Sequence, residues 1–164
     1  MEHVFLDIPR FYTALAEWGA CGVYILMLNR RFKNKGLTAA VSAAALAVQI
    51  LFLQVTGDVA LALWIPCMIG AAVLMYVYLI IICRINLKTA VYCCAQAFLL
   101  AEFAASLEWQ LHNYLLILGA NWLWIQLLLL ASVYTGVFIA AYFIERPAFS
   151  KEYLSQDRKS TRLN

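Results

Sequence analysis

The sequence holds no Walker loop, no G-x-S-x-G and no H-E-x-x-H, so the local signatures of phosphate, serine-hydrolase and zinc-peptidase chemistry are missing. Net charge is small, at +3. The basic residues fall in short loops and in the tail and not along one helix face, so nucleic acid is not an expected partner. There is no basic leader: the first residues carry Glu2 and Asp7, and the apolar run behind them is too long for a signal peptide. No cysteine pair sits in a connecting loop. Cys21, Cys67, Cys83, Cys93 and Cys94 all fall inside long apolar stretches. They read as small buried apolar residues, not as metal or redox ligands.

What the chain has instead is apolar length. It is 65% hydrophobic over 164 residues, with mean hydropathy +0.81, against roughly 45–50% apolar residues in a soluble domain. Five continuous runs stand out, over 11–29, 37–55, 59–83, 89–107 and 121–144. Each is close to the ~20 residues a helix needs to cross a hydrocarbon core of about 30 Å. Backbone groups in lipid are satisfied only in helices or closed barrels, and continuous runs select helices over alternating strands. The expected fold is all-α: a polytopic bundle of about five membrane helices whose solvent and first partner is the lipid bilayer. Residues 1–144 form this membrane domain, and 145–156 begin a linker or a further span.

Loop charge sets the expected orientation. Arg30, Arg31, Lys33 and Lys35 share one loop, Arg84 and Lys88 another, and Arg146 and Lys151 follow the fifth run. The alternate connections, 56–58 and 108–120, have acids and no Lys or Arg. The positive-inside rule places the N-terminus outside and the C-terminus in the cytoplasm, in agreement with the parity of five crossings. Trp64, Trp109, Trp122 and Trp124 then lie at the outer interface, with Trp18 somewhat deeper. His3 and His112 also fall outside, so neither can be a phosphoacceptor meeting cytoplasmic ATP. His112 is expected to face solvent at the interface, and Glu108 with His112 offers too few ligands for a metal.

Polar residues within the runs mark candidate function. Glu17 and Glu102 fall at similar depth in the outer half. Glu102, Ser106, Trp109 or Gln110, and Asn113 recur at helical spacing if the fourth helix continues past 107. Carboxyl groups are expensive in lipid and usually face a bundle interior or water. One reading is a ligand pocket between spans one, four and five, with Glu17, Glu102 and Gln126 as polar contacts. The other is that these groups hold helices together. A proton relay lacks carriers on the inner side beyond Gln49 and Gln96. No catalytic residue and no metal site is expected. In span two, Ala40 with Ala44, and Ala43 with Ala47, make small-xxx-small steps suited to close helix approach, within one bundle or across a dimer. Pro66 removes a backbone donor in span three and is expected to kink it.

Residues 157–164, DRKSTRLN, resemble the in-frame translation of a short-read sequencing adapter. The natural chain is therefore expected to continue past Gln156 into other sequence. MEHVFLDIPRFYTALAEWGAC at 1–21, LWIPCM at 63–68 and AFLLAEFAASLEWQLHNYL at 97–115 resemble the membrane sensor region of sensor histidine kinases with a GHKL-type ATPase domain, found in anaerobic Gram-positive bacteria. The resemblance implies a multi-pass sensor of the bacterial cytoplasmic membrane, acting as a homodimer and responding to a secreted peptide or small ligand. It also implies a following kinase domain that uses ATP and magnesium and signals to a response regulator. Neither cofactor belongs to residues 1–164. A small transporter or accessory membrane subunit is the alternative, favoured if a natural stop codon lies near Gln156.

Overall fold

The computed structural model describes residues 9–28, 35–57, 61–83, 85–119 and 122–161, with the backbone alone at 35, 61, 62, 64 and 148–161. Several residues of the charge and interface argument (His3, Arg30, Arg31, Lys33, Asp58 and Arg84) lie outside them, as does the side chain of Trp64. The described residues form five helices and no strand: α1 (Arg10–Leu28), α2 (Lys35–Val55), α3 (Leu61–Cys83), α4 (Leu87–Ile117) and α5 (Leu123–Thr161). All five are long and apolar enough to cross a membrane, as a multi-pass membrane protein requires.

Local chemistry accounts for the boundaries. Pro9 precedes α1, where a missing N–H is harmless, and its carbonyl accepts the Tyr12 N–H at 2.9 Å. At the end of α2 the Thr56 hydroxyl donates back to the Phe52 carbonyl at 2.8 Å. α4 closes through Gly119, whose φ of +82° suits glycine and whose N–H reaches the Leu116 carbonyl at 3.0 Å.

Two helices outrun their apolar stretches. α4 has 31 residues, a length of about 46 Å at ~1.5 Å per residue. Nothing in 108–117 breaks a helix, so the polar segment after 107 continues the same rod. α5 runs past 144 to Thr161, where a linker or a further span was expected. Between 145 and 161 Pro147 is the lone breaker and lies inside the helix. Pro66 likewise lies inside a continuous α3.

Helix α1 is the hub. It packs on α2, α3, α4 and α5. The others contact their chain neighbours, α2 on α3, α3 on α4 and α4 on α5, while α2 and α5 share no contact among the described residues. The four thus form a ring around α1 that stays open between α5 and α2. The tightest seam is α1 against α4. Ala16, Ala20 and Cys21 on one helix meet Cys93, Ala97, Ala101, Ala104 and Ala105 on the other, all at most 1% exposed. Ala16-xxx-Ala20 and Ala101-xxx-Ala105 are the small-xxx-small steps that bring two backbones close in lipid. The steps singled out in α2 are not part of it: Ala40, Ala43, Ala44 and Ala47 are exposed on the outside of this bundle. α2 turns Val41, Ala45, Gln49 and Leu53 inward instead.

Candidate functional site

The polar core is built from α1 and α2. Glu17 is 1% exposed and Gln49 is 5% exposed, although both sit at membrane depth in apolar helices. The Gln49 amide donates to the Glu17 carboxylate. It also makes a long contact to the Ala71 carbonyl of α3, at 3.5 Å. A buried polar group left without a partner costs ~1–3 kcal/mol, and more if charged. The pairing therefore fixes how α1, α2 and α3 face one another.

A cavity of about 230 Å³ opens beside Gln49, with walls that include Trp18, Cys21, Ala45, Met75 and Tyr78. Its lining is mostly apolar, and the polar groups of Trp18 and Tyr78 in its wall are engaged with Ser42. The Trp18 ring N–H donates to the Ser42 carbonyl at 2.9 Å, and the Ser42 and Tyr78 hydroxyls lie 2.6 Å apart. Ala44, Val48, Val77 and Ile81 line the cavity and are exposed on the outside of the bundle, so the cavity opens sideways between α2 and α3. The volume is just below the usual ~300 Å³ of a small-molecule pocket. The chamber suits a compact apolar molecule with one hydrogen-bonding group, directed at Gln49. Trp18 is thus a packing residue between α1 and α2. Trp122 and Trp124, at 71% and 73% exposed, stand where interface anchors would.

The sequence-based site residues separate. Glu17 is hydrogen-bonded to Gln49 of α2. Glu102 is half-buried on α4, within electrostatic range of Glu17 and Arg10. Gln126 is half-buried in the first turn of α5. Neither Glu102 nor Gln126 lines the Gln49 cavity. Along the expected polar stripe of α4, Ser106 and Gln110 are exposed, while Trp109 and Asn113 are half-buried.

Two polar contacts lie nearer the bundle ends. The Tyr24 hydroxyl of α1 donates to the Glu145 carboxylate of α5. At the other end Glu108 is fully buried and His112 is 8% exposed, correcting the expectation of a solvent-facing histidine. The cause is the continuity of α4: positions 101, 104, 105, 108 and 112 share one face, and that face packs inward. The His112 and Glu108 side chains approach to 4.0 Å, and Trp109 stacks on the His112 ring at 5.1 Å. Neither Glu108 oxygen has a hydrogen-bond partner among the described residues.

Sequence reasoning undervalued Gln49 and missed Glu145. A signal for Gln49 was present, because it and Gln54 are the only amides in a run whose other polar residues are the small Thr38 and Ser42. Glu145 sits one residue past the predicted span, where a boundary estimate hides it. Among the described residues no group of three or more His, Cys, Asp or Glu is placed to hold a metal. None of the five cysteines forms a disulfide, and all but Cys67 are buried. No protein-family model, curated protein or solved structure matches this chain.

Proposed function

We propose that this chain is the membrane sensor region of a two-component sensor histidine kinase in a bacterial cytoplasmic membrane. Its ligand is a compact, largely apolar molecule that reaches the Gln49 cavity from the lipid phase or from outside. The observation that carries the reading is the wiring of α1. Near its middle, Trp18 lines the cavity and Glu17 holds the cavity residue Gln49, and near its C-terminal end Tyr24 holds Glu145 of α5. A ligand that competes for the Gln49 amide changes how α2 holds α1, and α1 passes the shift to the α5 segment that runs on past Glu145. Such a ligand biases the equilibrium only through its different affinity for the two arrangements. A homodimer, ATP, magnesium and a response regulator belong to this proposal through a kinase domain following α5.

Long-read sequencing of the source locus across the Gln156 codon tests it. The expected frame continues into a phosphoacceptor helix and ATP-binding boxes in place of 157–164. A stop codon at that point overturns the kinase reading and leaves a small transporter or accessory subunit. In the continuous protein, Gln49→Leu is expected to abolish ligand-dependent autophosphorylation while membrane insertion is retained.

A further inference from the structure

The gap in the ring of helices is a groove. Between α2 and α5, where α1 has no neighbour, lies a trench of about 840 Å³. Its floor is the face of α1 from Trp18 to Met27, with Gly19 and Gly22 in the middle. The Phe138 ring of α5 closes over Gly19, 2.5 Å from where a Cβ would stand. One turn on, a Cβ at Gly22 would meet nothing within 4 Å, so the floor there is bare backbone with open space above it. Leu26, Ile139 and Phe143 are exposed in the trench and make its walls largely apolar, with Thr38, Ser42 and Thr135 as polar interruptions.

Length and charge define the occupant. From Trp18 to Met27 the trench runs about 13 Å at ~1.5 Å per residue, close to the ~15 Å depth of one leaflet's hydrocarbon. At the end where α1 finishes and α2 begins, Arg146 lines the trench, its guanidinium 5.4 Å from the centre of the Tyr142 ring. The neighbouring Glu145 carboxylate is engaged by Tyr24, and Arg146 forms no ion pair with a carboxylate among the described residues. An acyl-length apolar trough open to the bilayer, with a cation at its headgroup end, matches one molecule class. We infer that the α1–α2–α5 groove binds a phospholipid with an anionic headgroup from the leaflet on the Arg146 side, its phosphate on Arg146 and an acyl chain over Gly22. This site adjoins the Gln49 cavity across Trp18 and Tyr78 but does not include Gln49, and it does not depend on the sensor reading.

Native mass spectrometry of the full chain in mild detergent tests the inference. The chain is offered phosphatidylglycerol or phosphatidylcholine with identical acyl chains. Wild type is expected to retain phosphatidylglycerol preferentially. Arg146→Gln is expected to reduce that preference about fivefold, the factor given by the ~1 kcal/mol of one basic residue at an anionic membrane surface. Gly22→Phe, which fills the trough, is expected to lose lipid of either headgroup while helicity by circular dichroism is unchanged. Equal retention of the two lipids by wild type, or an unchanged preference in Arg146→Gln, overturns the assignment. Displacement of bound lipid by free glycerol 3-phosphate at the same concentration would also overturn it, since the headgroup alone would then be the ligand.

Discussion

Helices α2 and α4 are both rich in alanine and use it in opposite ways. In α4, Ala90, Ala97, Ala101, Ala104 and Ala105 are all at most 1% exposed. In α2, Ala39, Ala40, Ala43, Ala44 and Ala47 face outward. The alanines themselves do not decide the matter, because lipid tails and a helix interior are equally apolar. The rest of each helix does. α4 carries Glu108 and His112 on its alanine face and Leu99 and Phe103 on the opposite face, so turning the alanines inward removes Glu108 and His112 from lipid. α2 carries Gln49 on the other side from Ala43 and Ala47, and burying Gln49 leaves those alanines outside. The inward face of α2 is thus the one that carries Gln49, with Ser42 also engaged by Trp18 and Tyr78.

The contrast can be broken most severely at the seam. Ala101→Leu inserts a branched side chain where α1 and α4 nearly touch, and is expected to cost about 3 kcal/mol, at the upper end of core overpacking. The chemically identical change Ala43→Leu on α2 is expected to stay within ~0.5 kcal/mol, the usual range of an exposed site. Thermal unfolding in detergent compares them, and equal losses would show that the α2 face also packs.

Gln49→Leu sharpens the rotational argument. It leaves the Glu17 carboxyl without its donor and frees α2 to turn, at an expected cost of about 2 kcal/mol. Cross-linking of cysteines introduced at Ala45 and Met75 should fall in that variant. An undiminished cross-link would mean that apolar packing alone holds α2. Tyr24→Phe is milder. It removes one hydrogen bond to a half-exposed Glu145 and should cost about 1 kcal/mol, seen as faster backbone hydrogen exchange near Glu145 with little change elsewhere. The smallest perturbation needs no mutation: a membrane-permeant maleimide should label Cys67, which is partly exposed, well before the buried Cys21, Cys83 and Cys93. Simultaneous labelling would mean that the hub seam opens on the timescale of the reaction.

The helices themselves were legible from the sequence, because continuous apolar runs of membrane length have one solution in lipid. Their ends were less so. Hydropathy drops at Leu107 and at Ile144, yet both helices continue, since helix propensity outlasts apolarity. Packing direction was the least legible. Small-residue steps occur in α1, α2 and α4, and hydropathy offers no contrast between a neighbour helix and an acyl chain. Glu17 was recognised as an intramembrane polar group and grouped with Glu102 by depth, whereas its hydrogen bond to Gln49 of α2 depends on helix rotation, which hydropathy does not encode. His112 was misplaced for the same reason as the helix end: its environment follows from the helix continuing past 107, and the amino acid alone does not reveal it.

The hub arrangement also has a consequence for how the molecule is made. During synthesis α1 enters the membrane before any of its four neighbours exists. It brings Glu17 with it, and it is the least apolar of the five spans. The first residue able to satisfy Glu17 is Gln49 in the next helix, whereas the α4 seam arrives two helices after that. An early α1–α2 hairpin, clasped by one amide, therefore has to hold its place at the translocon while α3 and α4 emerge. Slowing translation between Val55 and Leu87 would lengthen that wait, and replacing Gln49 would leave α1 with no partner during it.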